Sequence, residues 1–414
     1  MDQGVGVNSC FSRKDSLITI LNNFVGILTL MTSFSVSADQ FDTLNYSASA
    51  GISYDDNIFR LPSGVDPLQA IGHSTKSDLI ETDSIGINLD KKYANQEFQL
   101  KANVTNNKFN TFSNLDYVNT FYNVSWNGKI TSNFSGALSD SRTQTLNSFT
   151  DIHIYSRNLT TTDSPHLAAD WWLINNWHLT FGATDSKTTS TQSVINNQSY
   201  TSQITEWGVK YTPTDGSSIA FVSRNIQNQN INSTLNYYLL VDTENSETQK
   251  ELDLNWLLSG KSVLSGNLIY IDHQNPTFIQ RDFSGTEGAL NYIYSFSDKS
   301  NFKISFNRGI GNWYDLYSSY SIKDTFSIAP SWQISTKTNM HIEVNRSKTG
   351  YLGSIMPNTI ARFDESHSEM LGLDWSPQRS VTMSTSFLNS LRYSNYSSYE
   401  YNDKSANLTM QVTF

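Results

Sequence analysis

The chain has 414 residues, of which 16% are charged, 37% hydrophobic and 13% aromatic, with a net charge of -10 and one cysteine. These values exclude a disordered polar tract and a helix-rich Ala/Glu/Lys/Leu protein, argue against a nucleic-acid partner, and leave Cys10 unable to form a disulfide framework or a cysteine-ligated metal site. A mean hydropathy of -0.42 excludes a helical membrane protein but not a transmembrane barrel, whose strands alternate apolar and polar residues and average out as hydrophilic.

At the start of the chain, Arg13 and Lys14 precede an apolar run from Leu17 to Met31, and Val36-Ser37-Ala38 supplies small residues before Asp39. This is the layout of a secretory signal peptide over residues 1–38, leaving 39–414 as a single exported domain without cysteine. No later stretch is long and apolar enough for a transmembrane helix. Period-two alternation follows instead. Leu44, Tyr46, Ala48, Ala50, Ile52 and Tyr54 form an apolar row against Asn45, Ser47 and Ser49, and similar rows start at Phe98, Val118, Trp177, Leu252, Leu290 and Ala406.

Tight polar turns are expected near Lys92, Gly128, Asn175, Asp215, Gly260, Asp298, Thr336 and Pro377, an internal repeat of about 40 residues. Each repeat holds two alternating runs of about 9 to 13 residues, the length a tilted strand needs to cross a bilayer, whereas a propeller blade would hold four short strands. Eight turns with a first strand at Leu44 and a last at Asn407 predict an all-β, antiparallel up-and-down outer-membrane β-barrel of eighteen strands with both termini periplasmic. Longer loops are expected near residues 55–77, 143–165, 189–199, 228–246, 275–284 and 351–364. Aromatic residues before the turns suit a membrane-interface girdle, and the terminal Phe414 suits a barrel-assembly signal.

No catalytic pattern emerges. The seven histidines lie in no G-x-S-x-G, H-E-x-x-H or metal-ligand spacing, so neither an enzyme, a metal nor a cofactor is expected. The acidic pairs Asp55-Asp56 and Asp364-Glu365 are expected in loops.

If the apolar rows face lipid, the inward set includes Lys101, Glu206, Lys210, Glu251, Asp253, Lys303 and Glu343 among many amides and hydroxyls. Phe121 and Trp172 fall on the same parity, where they could stack on sugar rings. Mixed charge without a single-sign ring suits a neutral or weakly charged hydrophilic solute. On the lipid-facing parity, Lys108, Lys187, Arg308 and Arg346 stand six to ten residues above a lower apolar or aromatic member of their rows. That is near the outer boundary of the apolar band, where cations could pair with lipopolysaccharide phosphates.

Tyr54-Asp55-Asp56-Asn57-Ile58-Phe59-Arg60-Leu61-Pro62 resembles the start of the EpsL-type outer-membrane proteins of exopolysaccharide biosynthesis clusters, a β-barrel porin family. The likeness continues through Lys76-Ser77-Asp78, Phe112-Ser113-Asn114-Leu115-Asp116-Tyr117 and Arg157-Asn158-Leu159-Thr160-Thr161. The resemblance implies export of a secreted polysaccharide across the outer membrane, with a periplasmic polysaccharide-export protein and an inner-membrane polymerisation system as partners. Asp55, Asp56, Asn57 and Arg60 are then candidate polysaccharide contacts, against the alternative that Asx-type bonds make them a capped loop. A structural or glycan-binding barrel without conduction, and a general diffusion porin, stand beside the export reading.

Overall fold

Alternation of apolar and polar residues at period two can bury one sheet face only if the sheet has something apolar to lie against, and this chain closes its sheet on itself. The computed structural model describes residues 43–414 apart from 152, 193–198, 232 and 314, so the expected signal peptide lies outside the described residues. The strands are β1 (Leu44–Asp55), β2 (Asp78–Tyr93), β3 (Gln96–Phe109), β4 (Tyr117–Lys129), β5 (Phe134–Leu146), β6 (Leu159–Asp163), β7 (His166–Ile174), β8 (Trp177–Ser190), β9 (Tyr200–Tyr211) and β10 (Ser218–Asn230). They continue as β11 (Glu244–Ser259), β12 (Ser262–Gln274), β13 (Phe283–Ser297), β14 (Ser300–Asn312), β15 (Tyr320–Ser335), β16 (Thr338–Leu352), β17 (Phe363–Gln378), β18 (Val381–Ser394) and β19 (Tyr401–Thr413).

Apart from β6 and β7, which do not pair with each other, each strand pairs antiparallel with its neighbours in sequence, and β1 pairs with both β2 and β19, so the barrel has no edge. β6 and β7 both lie between β5 and β8, and the register of β6 continues into β7 across a break in pairing at Ser164 and Pro165. Proline lacks the N–H that the ladder needs. The two segments are one crossing strand, which makes eighteen strands, as the turn count predicts. Tyr46 and Phe414 exchange backbone hydrogen bonds of 2.7 and 2.9 Å at the seam and stack their rings.

All eight expected tight turns lie at the rim that also holds Leu44 and Thr413. At the opposite rim the expected loop over 143–165 is shorter: β5 runs on to Leu146 and β6 begins at Leu159. Apart from Leu146 and Leu159 those strand ends carry only polar residues, so their hydropathy does not separate them from loop. The connections 110–116, 313–319 and 395–400, which the hydropathy pattern does not flag, complete this rim.

The loop after β5 fixes which face is inside. Its tip, Thr150 and Asp151, lines a cavity with residues of β14 to β19, although β4, β3, β2, β1 and β19 separate β5 from β18 in the sheet. Only the concave face can be shared so. Directly opposed residues of antiparallel strands lie on one face, and the register carries this inner face consistently round the whole barrel. Asn45, Asn88, Lys101 and Asn123 lie in one run of it, Glu206 faces Arg224, and Arg392 faces Tyr401.

The outer face holds the apolar rows. Ile85 and Phe387 are 68% and 60% exposed without protein neighbours to cover them, the condition of a surface that meets lipid. Trp126, Trp177, Trp256, Trp332 and Trp375 lie on the outer face by register, beside the short turns.

Candidate pore constriction

Three loops at the long-loop rim share one small core. Phe59 from the loop after β1, Phe112 from the loop after β3 and Phe149 from the loop after β5 meet edge to face, with centroids 4.7 and 4.8 Å apart. Ile58, Leu61, Phe109 and Leu115 complete the cluster. Within the first of these loops a single helical turn, α1 (Pro67–Ile71), starts at Asp66, whose carboxylate accepts from the Leu68 N–H. It stops at Gly72, where φ is +73°. This core holds the base of the loop after β5 and frees its tip to reach across the mouth.

At the far wall the tip is pinned by charge. Arg362 donates to Asp151 at 2.8 Å and Arg392 at 2.7 Å, while Arg392 also donates to the Thr150 carbonyl. Arg362 is in turn held by Asp364 at 2.5 and 3.1 Å. Its guanidinium lies 3.4 Å from the Tyr399 ring centroid and 4.1 Å from that of Tyr351, a cation-π cage that fixes the fork before the loop arrives. Burial pushes the Asp151 carboxyl up, but Arg392 and Arg362 outweigh it and hold the group below the usual carboxylate range. His153, two residues on, is held below the usual imidazole range, first by burial and then by Arg392. The tip is therefore a carboxylate clamped between two arginines beside a neutral histidine.

The wall on the other side carries a different network. Asp170 accepts from His178 at 2.6 Å and from Lys210, and Arg224 bridges Glu206 at 2.8 Å and Glu251 at 2.9 Å. Asn267 donates to Glu251 at 2.7 Å. Gly182 sits directly opposite Glu206, where a Cβ would come within 2.5 Å of the carboxylate. Only glycine leaves room for that side chain to lean toward Arg224.

Among the residues singled out from sequence, Glu206, Lys210, Glu251 and Asp253 gather on the β9–β11 wall. Lys303 and Glu343 lie on the inner face of β14 and β16, and Lys101 and Phe121 on inner β3 and β4. Trp172 stacks on His178 at the short-turn rim and gives its N–H to the Asn175 carbonyl, so it guards an entrance and not the middle.

Asp55, Asn57 and Arg60 are brought together with Asp403, but as a lock between the first and last strands. Arg60 Nη1 bonds both Asp55 oxygens at 3.0 and 2.9 Å and Asp403 at 2.9 Å. Asn57 is fully buried, donates to the Leu61 and Asn402 carbonyls, and accepts from the Leu61 N–H. Asp56 and Lys404 are joined by two further bonds. One group of carboxylates close enough to share a cation stands out among the described residues, Asp55, Asp56 and Asp403, and the Arg60 guanidinium already bonds two of them.

Lys108, Lys187, Arg308 and Arg346 all fall on the outer face by register, toward the long-loop rim. Each has a counter-charge or a ring beside it. Lys108 lies opposite Glu81, Lys187 opposite Asp163, Arg346 between Phe326 and His367, and Arg308 bonds Asp324 at 2.6 and 2.7 Å.

The residues that pin the loop were not among the sequence candidates. Arg392 is a cation on the inner parity of β18, a signal the alternation does contain. Asp151 and Arg362 sit in loops, where parity says nothing.

No protein-family model matches the sequence, and no curated protein does. Solved structures match the fold over nearly the whole chain. OccK2 (OpdF) of Pseudomonas aeruginosa has a TM-score of 0.52 at 8% identity, covering 90% of this chain and 98% of that one. A BenF-like porin from Pseudomonas fluorescens Pf-5 has a TM-score of 0.51 at 8% identity, covering 90% and 99%. The fold is that of outer-membrane porins. At such identities the likeness speaks for the barrel and not for any solute.

Proposed function

We propose that this barrel sits in the outer membrane as a passive channel for small hydrophilic solutes. The observation that carries the reading is the loop after β5, folded inward and tied at Asp151 to the opposite wall, which narrows a polar eighteen-strand lumen without lining it with one sign of charge. Barrels of this size leave an aqueous path unless a loop fills it. A narrowed path of mixed charge sorts solutes by size before it sorts them by charge.

The polysaccharide-export expectation is a second reading, supported by the sequence resemblance and by the many hydroxyl and amide groups on the inner face. A polymer would have to pass a mouth across which the loop is tied, so that reading requires the tie to open. The outward cations are proposed to meet lipopolysaccharide phosphates in the outer leaflet.

Reconstitution of the full chain in planar bilayers tests the main reading. Stepwise ion conductance is expected, larger in Asp151→Ala; a bilayer that stays silent with correctly folded barrel overturns it. Loss of surface polysaccharide in a deletion strain with normal small-solute uptake would favour export instead.

A further inference from the structure

The cavity that the pinned loop creates has a composition of its own. Its volume is about 600 Å³, within the range that holds a small solute. Thr150 and Asp151 roof it, and the inner rows of β15, β16 and β17 floor it. Period-two alternation places Ser321, Thr325, Ser327, Ser347, Thr349 and Ser366 on that floor. Some inner-face hydroxyls elsewhere bond one another, as in Thr162 with Thr188 at 3.1 Å and Thr105 with Ser84 at 3.0 Å, while others, such as Ser265 and Ser305, stand singly. On this floor none of the six makes a side-chain hydrogen bond to another described residue. Each hydroxyl can both donate and accept.

Charge around the cavity balances. Arg392, Lys323 and, just behind the roof, Arg362 are cations, against Asp151, Asp364 and Glu343. Four of the six neutralise one another in the latch, with Arg362 bound to both Asp151 and Asp364 and Arg392 to Asp151. Glu343 accepts from Asn345 at 2.9 Å. An ion gains little from a balanced cavity and loses hydration on entering it. A neutral solute with many hydroxyls loses little, because every water it sheds can be replaced by a Ser or Thr group.

The geometry points to a binding site for a neutral polyol of one or two sugar rings, between the loop tip and the Ser/Thr floor of β15–β17. The inference deepens the channel reading and rests on it for its role, a dwell site on the path of a permeating sugar. The site itself is a property of the folded chain and is measurable without conduction.

The experiment uses maltose as the probe on the refolded full chain, once by calorimetry in detergent and once by single-channel recording. Saturable maltose binding in the millimolar range is expected, together with a saturable fall in ion current. Both should be at least tenfold weaker in the triple variant Thr325→Val, Ser347→Ala, Thr349→Val, whose side chains keep nearly the same volume. Where the triple variant does not fold as a heat-modifiable barrel, Ser347→Ala alone should weaken binding severalfold. Absence of saturable binding, equal binding in the variants, or tighter binding of lysine or glucuronate than of maltose overturns the site. Saturable binding to a barrel that carries no current would uphold the site and overturn the channel reading.

Discussion

Asp151 concentrates the control of the mouth in one carboxylate. Its side chain is about a third exposed while Arg362 and Arg392 are nearly buried, so its removal leaves two buried cations to share the single carboxylate of Asp364. Asp151→Ala should weaken docking of the loop by about 2 kcal/mol, the lower range for lost bonds to charged groups, and raise single-channel conductance. Unchanged conductance would show that the loop core at Phe59, Phe112 and Phe149 holds the tip unaided.

Acid should open the same latch in two stages. His153 is held below its ordinary value of 6.5, so below that pH the released loop takes up a proton that the pinned loop refuses, and docking weakens. Asp151 is held below the usual range, so its contribution is complete above the pH at which a free aspartate ionises and is lost as pH falls through the depressed value. Conductance recorded as pH is lowered from about 7 to about 2 should rise first with the histidine, and His153→Gln should remove that first rise only.

At the scale of elements, the seam between β1 and β19 shows what a motif can hide. The Tyr54–Pro62 segment attracts notice because acidic, amide and basic groups crowd into nine residues. In the fold they close a cylinder: Arg60, at φ +56°, turns back to bond Asp55 on the first strand and Asp403 on the last. Arg60→Ala would leave two buried carboxylates without their cation, a loss of about 3–5 kcal/mol. The variant should unfold at a clearly lower temperature in heat-modifiability gels, and Arg60→Lys should recover part of the loss. An unshifted transition would mean that the Asn57 and Asp56 bonds suffice.

The strands themselves were legible because lipid on one side and water on the other impose period two over every crossing, and the turns because polar triplets interrupt it. Strand ends such as Thr143–Leu146 and Leu159–Asp163 were not, because apart from Leu146 and Leu159 both faces there carry polar residues. The pairing of Asp151 with Arg362 and Arg392 joins residues more than 200 positions apart through a loop whose path no local pattern records.

For the whole molecule the charges sort by face. Inside, each wall carries both signs: Lys210 and Arg224 stand among the carboxylates of β9–β11, and Glu343 and Asp364 among the cations Lys323 and Arg392 of β15–β18. Outside, the cations lie above the apolar rows and alternate with acids, Lys187 with Asp163 and Arg308 with Asp324. At mid-bilayer an arginine or lysine would cost about 2–4 kcal/mol, whereas near the interface the cost falls toward zero, so the register alone explains why these residues are tolerated there. Whether they also bind lipid phosphate is a question of linkage, since a ligand that binds only the folded barrel raises its unfolding temperature.

Lipopolysaccharide added to the refolded barrel should therefore raise that temperature, and the rise should shrink in the variant with Lys108, Lys187, Arg308 and Arg346 all changed to Gln. Comparing the rise, and not the temperature itself, removes the direct loss of the Arg308–Asp324 pair, which as an exposed bridge contributes at most about 1 kcal/mol. Salt at molar concentration should erase the rise in the parent chain, because screening at that strength reaches only about 3 Å. An equal rise in parent and variant would leave the outward cations as interface residues without a lipid partner.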